Sequence, residues 1–267
     1  MQLRRWLTAL LLAPLLVALV AFAPRWAFVA LVSSAVAVCL HEYYRMASPQ
    51  AGPRRYVWTL WGAFLPVAFA LGGPPAALAA ATLGAVCFFG AFVLKGEVRP
   101  TILDILGREF LGLAYIALLL SYFVLLRDLE AGRFWVLFVL AVAFAEDTGA
   151  YYSGRALGRR KLCPTLSPGK TVSGAVGGLV AAAFAAFACR ALFMPPLAVG
   201  DTIALGLLIG VAGQTGDLFE SLIKRASGVK DAGTLLPGHG GLLDRIDSLV
   251  FSAPAVYYYY AWLLGGR

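Results

Sequence analysis

Residues 134–152 read FWVLFVLAVAFAEDTGAYY, an unbroken apolar run that ends in two carboxylates and two tyrosines. An apolar run of this length is typical of a helix that crosses a membrane. A carboxylate at membrane depth usually faces the protein interior and marks a functional site. Glu146 and Asp147 could equally lie at the cytoplasmic interface, where a charge costs little. The stretch therefore predicts a membrane helix and leaves the role of its acidic end open.

The composition of the whole chain agrees with this interpretation. Of 267 residues, 61% are hydrophobic and 13% are Asp, Glu, Lys or Arg, and that charged fraction is about half of the usual quarter. Too few polar residues remain to cover a soluble core, which excludes a soluble or disordered protein. The four cysteines lie far apart and there are two histidines. Neither a disulfide framework nor a zinc site is expected from this pattern.

Apolar runs recur along the chain and predict an all-α polytopic integral membrane protein with about nine transmembrane helices. Most of the 22 Lys and Arg residues fall on one side of this arrangement, so the N-terminus is expected in the cytoplasm and the C-terminus outside. We divide the chain into N-terminal transmembrane helices, 1–130, and a C-terminal transmembrane region, 131–267, with two cytoplasmic loops, 153–173 and 220–247. The predicted spans are 6–23, 26–40, 56–71, 75–94, 110–126, 134–152, 174–194, 201–219 and 248–264.

The second of these loops combines acidic, basic and glycine residues. Asp217 precedes it by about one helical turn, and Asp244 and Asp247 are three residues apart, so that on a helix they share a face. Three convergent carboxylates without a thiol favour a hard cation bound through oxygen, and Mg²⁺ before zinc. Four cations accompany them, which suits phosphate bound through Mg²⁺; a solvated loop with ion pairs is the alternative. The cations are Lys224, Arg225, Lys230 and Arg245.

The first loop contains Gly169-Lys170-Thr171, a triplet also found in P-loops. A P-loop requires glycine at position 164 and a preceding strand; Pro164 stands there and no strand is predicted, so this interpretation is rejected. Lys170 and Thr171 nevertheless open a helix at Gly174, and charge together with a helix N-terminus can bind phosphate. An ordinary helix cap beside positive-inside residues remains the alternative.

These residues resemble a known family. The stretch 221–247 meets every fixed position of the phosphatidate cytidylyltransferase signature, S-x-φ-K-R-x₄-K-D-x-small-x₂-φ-P-x-H-G-G-φ-x-D-R-φ-D, in which φ is apolar. The stretches 147–158 and 167–174 are also similar to family segments. The last of these departs from the family pattern S-P-K-K-T-x-E-G, because Gly169 replaces the first lysine and Ser173 replaces the glutamate.

The resemblance implies that CTP and phosphatidic acid react to give CDP-diacylglycerol and pyrophosphate at the cytoplasmic face of the inner membrane. It also implies Mg²⁺ as cofactor, a second, monovalent cation such as K⁺, and a homodimer. The expected partners further include membrane lipid and exclude nucleic acid. The lipid phosphate already carries negative charge, so the reaction requires no strong base, which fits a site with one histidine. Charge neutralisation and positioning remain the main requirements.

Candidate roles follow from the two loops and the resemblance together. The predicted catalytic residues are Asp217, Asp244, Asp247, Lys224 and His239, with the three aspartates as metal ligands. The predicted substrate-binding residues are Asp147, Tyr151, Arg155, Ser167, Lys170, Thr171, Ser221, Arg225, Lys230, Gly240, Gly241 and Arg245.

Two alternatives differ in substrate or in class. One is a CTP-dependent enzyme that acts on another lipid phosphate or on a lipid alcohol, since such enzymes look similar in scaffold. The other is an ion-coupled transporter, which predicts inverted repeats and helices broken at mid-membrane. Neither feature is visible in the sequence, and the acidic residues cluster near one membrane face.

Overall fold

The computed structural model describes residues 14–96, 98, 100–194, 196–235 and 240–265. This part of the chain is almost entirely helical, as the long apolar runs predict. The helices are α1 at 14–22, α2 Arg25–Ala47, α3 Arg54–Lys95, α4 Ile102–Gly112, α5 Leu119–Asp128, α6 Gly132–Leu157, α7 Val172–Phe193, α8 Val199–Ala226 and α9 Leu243–Tyr259. A short 3₁₀ helix, Pro49–Ala51, precedes α3, and π-helical segments Leu113–Leu118 and Tyr260–Leu264 join α4 to α5 and extend α9.

Six helices of the described residues are long and apolar enough to cross a membrane, with α4, the π-helical segment and α5 counted as one helix. The protein is an all-α multi-pass membrane protein. The longest, α3, has 42 residues and is interrupted at Gly72 and Gly73, whose backbones are not helical. Gly73 has φ +61°, a conformation that favours glycine. The count of nine spans and the orientation of the termini stay predictions, and the first predicted span, 6–23, lies partly outside the described residues.

The predicted loop 153–173 contains more regular structure than expected. Helix α6 continues to Leu157, and two strands follow, β1 Lys161–Cys163 and β2 Ser167–Thr171. They pair antiparallel, Lys161 with Thr171 and Cys163 with Ser167, with an irregularity between the two pairs. The sequence did not predict this hairpin because its residues include two prolines and a glycine and do not alternate between apolar and polar side chains. The second loop is also shorter than predicted, since α8 extends to Ala226 and α9 begins at Leu243.

Glycines allow the helices of the C-terminal region to approach closely. A Cβ atom at Gly174 of α7 would lie 2.9 Å from the carbonyl oxygen of Ala150 in α6, and one at Gly178 would collide with the Glu146 carboxylate. In α8, a Cβ at Gly216 would collide with the backbone carbonyl of Asp247 in α9. Small residues at helix contacts in membranes commonly permit such approaches. The acidic ends of α6, α8 and α9 are thereby brought together.

The N-terminal helices form the other part of the core. Tyr43 and Tyr44 of α2 donate hydrogen bonds to the carbonyl oxygens of Arg108, at 2.8 Å, and Glu109, at 2.9 Å. The indole N–H of Trp58 donates to the buried Glu109 carboxylate at 3.0 Å. Helix α2 packs against α3 and α5 and also contacts α8 and α9. The N-terminal helices therefore share an interface with the region that contains the predicted loops.

Candidate active site

Three carboxylates from α8 and α9 form a compact group, here called the carboxylate cluster: Asp217, Glu220 and Asp247. Each offers one oxygen atom, and these oxygens lie within 4.8 Å of one another. Asp217 and Glu220 are three residues apart and share a face of α8. The backbone N–H of Ser248 donates to Asp247 Oδ1 at 2.8 Å, which fixes that side chain. Glu220 is fully buried.

The carboxylate cluster has the donor chemistry of a site for a hard divalent cation. Carboxylate oxygens are the ligands that Mg²⁺ and Ca²⁺ prefer, and Mg²⁺ is usually bound through one or two carboxylates together with substrate phosphates. Two predicted metal ligands, Asp217 and Asp247, belong to the cluster. The third member is Glu220, which was not among the predicted site residues, whereas Asp244 was predicted in its place.

Asp244 has other partners. Its Oδ1 accepts a hydrogen bond from Lys224 Nζ at 2.8 Å, and its Oδ2 accepts the backbone N–H groups of Ala232, at 2.9 Å, and Gly241, at 2.8 Å. Burial alone would raise the pKa of Asp244, but the Lys224 ammonium and the N–H donors outweigh it and lower that pKa. Asp244 therefore connects α8, the following loop and α9, and its role as a metal ligand stays a prediction.

Lys224 lies between two carboxylates. Besides Asp244, its ammonium contacts Glu220 one helical turn earlier in α8. The Lys224 side chain is 13% exposed, and those of Glu220 and Asp244 are 0% and 7% exposed. Lys224 was predicted to bind phosphate. In this geometry its ammonium neutralises two buried carboxylates.

A cavity of about 590 Å³ opens beside the carboxylate cluster. It lies between α6, the hairpin, the start of α7 and α8, and Asp217 is both a lining residue and a member of the cluster. Lys170, at the end of β2, contacts Asp217 Oδ2 at 2.5 Å. Thr171 accepts the backbone N–H of Gly174 at 3.1 Å and so caps α7. Seven predicted site residues line this cavity: Asp147, Tyr151, Arg155, Ser167, Lys170, Thr171 and Asp217.

Two polar side chains in the cavity wall, Glu146 and Gln214, are absent from the predicted site. Gln214 donates to Glu146 Oε1 and to the carbonyl oxygen of Ala175, both at 2.9 Å, and so joins α8 to α6 and α7. Asp147 accepts a hydrogen bond from Ser248 Oγ at 3.3 Å. Glu146 and Glu220 have a sequence signal, because both are acidic residues that end an apolar run, but this signal alone left their role open. Gln214 has no comparable signal.

The remaining predicted residues lie around this centre. Ser221 is buried in α8, and Lys230 is exposed in the following loop. Arg225 is exposed, and its Nε donates to the Leu166 carbonyl at 3.3 Å in the turn of the hairpin. Gly240, with φ +80°, and Gly241 precede α9, and Arg245 is exposed in its first turn. His239 lies outside the described residues.

Comparisons with known proteins agree with the resemblance in the second loop. A phosphatidate cytidylyltransferase of Bacillus subtilis (strain 168) is 40% identical over 156 residues, which cover 58% of each chain. A phosphatidate cytidylyltransferase of Haemophilus influenzae (strain KW20) is 47% identical over 143 residues, 52% of this chain and 49% of that one. The "Uncharacterized protein YnbB" of Escherichia coli (strain K12) is 47% identical over 132 residues, 49% of this chain and 44% of that protein.

The chain therefore spans about half the length of the curated relatives it matches. The match to the family as a whole is longer, since the profile described as the cytidylyltransferase family covers residues 3–263. The chain belongs to the cytidylyltransferase family.

Proposed function

We propose that this protein transfers the cytidylyl group of CTP to phosphatidic acid, with Mg²⁺ bound by Asp217, Glu220 and Asp247. The observation that supports this most directly is the carboxylate cluster at the wall of a cavity that also contains Lys170 and Arg155. One buried and two partly buried carboxylates, beside cations and a helix N-terminus, match the needs of a magnesium-bound triphosphate. Two relatives are phosphatidate cytidylyltransferases, and this activity supplies the lipid substrate of the proposal.

The reaction requires one bond to form and one to break. An oxygen of the lipid phosphate attacks the α-phosphorus of CTP, and the bond from that phosphorus to the oxygen bridging to the β-phosphate breaks. The products are CDP-diacylglycerol and pyrophosphate. The attacking oxygen is already anionic, so no residue has to remove a proton from it. Bound Mg²⁺ would neutralise charge on the phosphates of the nucleotide.

The residues of the cavity then bind and orient the triphosphate. Lys170 and Arg155 offer positive charge, and the capped N-terminus of α7 offers the positive end of a helix dipole. Lys170 contacts Asp217, so its ammonium lies at the border between the carboxylate cluster and the cavity. Lys224 and Asp244 keep the cluster and α9 in place. Positioning of this kind, together with preorganised charge, is a principal source of rate in phosphoryl transfer.

In this proposal, the two substrates approach the site from different directions. The lipid phosphate reaches the site from the leaflet surface, and CTP enters from the cytoplasm, so neither crosses the bilayer. We assign the protein to the cytoplasmic membrane and the site to its inner face. The monovalent cation and the homodimer implied by the resemblance stay predictions.

The test is magnesium-dependent release of pyrophosphate by detergent-purified protein given CTP and phosphatidic acid. Asp247→Asn should abolish release. Asp201→Asn is a matched control, because Asp201 lies at the opposite end of α8 and accepts a hydrogen bond from Tyr259 at 2.7 Å. It should retain near-normal release. Release from another lipid phosphate or a lipid alcohol, but not from phosphatidic acid, would identify the alternative substrate and refute this one.

A further inference from the structure

Glu42 is a buried carboxylate of α2 that binds the start of α9, about 200 positions later in the chain. It is 6% exposed. Its Oε1 accepts the backbone N–H of Leu242 at 3.0 Å, and its Oε2 accepts that of Leu243 at 2.9 Å. Both oxygens of one side chain are therefore directed at two consecutive amides. The α2 helix belongs to the N-terminal region, for which the sequence predicts no site residue.

The first turn of α9 needs an external acceptor. The first N–H groups of a helix have no partner inside the helix, and a side chain at the N-cap position commonly accepts one of them. Leu242 occupies that position in α9, and its side chain has no acceptor atom. Glu42 supplies the acceptor from another helix. Its negative charge also lies at the positive end of the α9 dipole, which is a favourable position.

Two glycines allow Glu42 to reach these amides. A Cβ atom at Gly233 would lie 2.6 Å from Glu42 Oε1, and one at Gly241 would lie 2.6 Å from Oε2. Both distances are too short for a real side chain, so the loop encloses the carboxylate closely from two sides. The N–H of Gly241 meanwhile donates to Asp244. One loop is thus held at the same time by Glu42 and by the first acidic residue of α9.

We propose that Glu42 is a positioning residue that fixes the first turn of α9 and, through it, the two aspartates that this turn presents. Asp244 directly follows the bonded Leu243, and Asp247 of the carboxylate cluster lies one helical turn further. A shift of the first turn would displace Asp247 relative to Asp217 and Glu220 on α8. The proposal rests on the proposed function, because it assigns to Glu42 the geometry of the magnesium site.

The experiment compares Glu42→Gln with Glu109→Gln in purified full-length protein. Glutamine keeps the shape but replaces one accepting oxygen by an NH₂ group, which cannot accept the second amide. Glu109 is a matched control, since it is also buried and bonded within the N-terminal helices, to Trp58 and Arg54. Amide hydrogen exchange at Leu242 and Leu243 is measured without metal or substrate. Calorimetric Mg²⁺ binding and the kinetic constants for pyrophosphate release are measured next.

For Glu42→Gln we expect faster exchange at both amides and Mg²⁺ binding weaker by about 10-fold or more, as for other residues that orient metal ligands. The value of kcat should fall while KM for CTP changes less, because the cavity that Lys170 lines remains intact. Glu109→Gln should lower thermal stability and leave exchange at these amides and Mg²⁺ binding unchanged.

Several results would overturn the proposal. Unchanged exchange in Glu42→Gln would show that the two hydrogen bonds do not hold α9. Faster exchange with normal Mg²⁺ binding and normal kcat would reduce Glu42 to a structural cap, and an equal loss of Mg²⁺ binding in Glu109→Gln would make the effect general.

A second pair of variants covers the case in which Glu42→Gln does not fold. Gly233→Ala presses a methyl group on Glu42 and should give the same changes, whereas Gly107→Ala, where the added atom meets open space, should not. Equal behaviour of the two alanine variants would contradict the role of Glu42. Exchange needs neither metal nor substrate. A protein that released no pyrophosphate would therefore refute the proposed function and leave exchange to decide whether Glu42 holds α9.

Discussion

Lys224→Met should destabilise the protein by about 3 kcal/mol, within the usual range for breaking one side of a buried ion pair. Methionine keeps the apolar stem of lysine and removes the ammonium group. That ammonium lies 2.8 Å from Asp244 and also contacts Glu220. Its loss leaves two nearly buried carboxylates without their shared cation.

The contacts of Asp244 and Glu220 indicate how the lost stability divides between these two carboxylates. Asp244 keeps the backbone N–H groups of Ala232 and Gly241 after the substitution, so it loses the smaller part. Among the described residues, no donor other than this ammonium contacts the Glu220 oxygens. An uncompensated buried charge typically costs about 3–5 kcal/mol, and the lower end, about 3 kcal/mol, applies because Lys224 is not fully buried. Most of the loss is therefore assigned to Glu220.

The assay is equilibrium unfolding in mixed micelles, followed by tryptophan fluorescence, for four proteins: wild type, Lys224→Met, Glu220→Gln and the double variant. Removing the unpaired carboxylate should restore most of the lost stability, so the double variant should be more stable than Lys224→Met. The coupling energy of this cycle isolates the pair. A single Lys224→Met variant as stable as wild type, with a raised KM for CTP, would refute the reasoning and return Lys224 to phosphate binding.

Three further predictions address other parts of the site. Lys170→Ala should raise KM for CTP by about 10-fold or more in steady-state kinetics, since a charge-assisted contact is worth about 1.5–3 kcal/mol, while Arg190→Ala, at the opposite end of α7, should not. Gly178→Ala should lower the unfolding free energy by about 1–3 kcal/mol through overpacking against Glu146, whereas Gly200→Ala, in open space, should have little effect. Asp244 has a lowered pKa in the folded protein, so its charge stabilises the fold above the ordinary carboxyl pKa. This contribution is lost as pH falls through the lowered value. The difference in unfolding free energy between wild type and Asp244→Asn should therefore shrink when unfolding is measured below about pH 4.

The membrane fold could be predicted from the sequence because a hydrophobic run of spanning length is compatible with few structures besides a membrane helix. The helices predicted at 134–152, 174–194 and 201–219 follow from that rule alone, and the structure has α6, α7 and α8 at these places. The β1–β2 hairpin could not be predicted, because its pairing depends on the ends of α6 and α7 being held together. Glycine contacts between these two helices, such as Gly178 with Glu146, allow that proximity.

The site was predictable where chemistry and local spacing agree. Asp217 and Asp247 were expected as ligands and belong to the carboxylate cluster. The carboxylate cluster contains Glu220, whereas the predicted ligand set contains Asp244, and this difference has a physical reason. Spacing of three residues relates Asp217 to Glu220 as well as Asp244 to Asp247, so spacing could not choose between the two. The choice depends on which carboxylate receives backbone N–H groups from the loop, and that is decided by tertiary folding.

Helix α8 shows why so many carboxylates can lie close together. Gly213 and Gly216 allow α9 to pack against α8. A Cβ atom added at Gly210 would lie 3.7 Å from the Glu146 side chain of α6. Close packing of these helices forces the acidic groups together, and buried charges that repel one another need compensation. Lys170 pairs with Asp217 from the cavity side, and Lys224 pairs with Glu220 from the loop side. Asp217 is thus shared between the carboxylate cluster and the cavity, and charge that enters the cavity must act on Lys170 and Asp217 together. When Lys170→Ala and Asp217→Asn are combined, their losses in the rate of pyrophosphate release should therefore be non-additive. The losses from Lys170→Ala and Asp201→Asn should add.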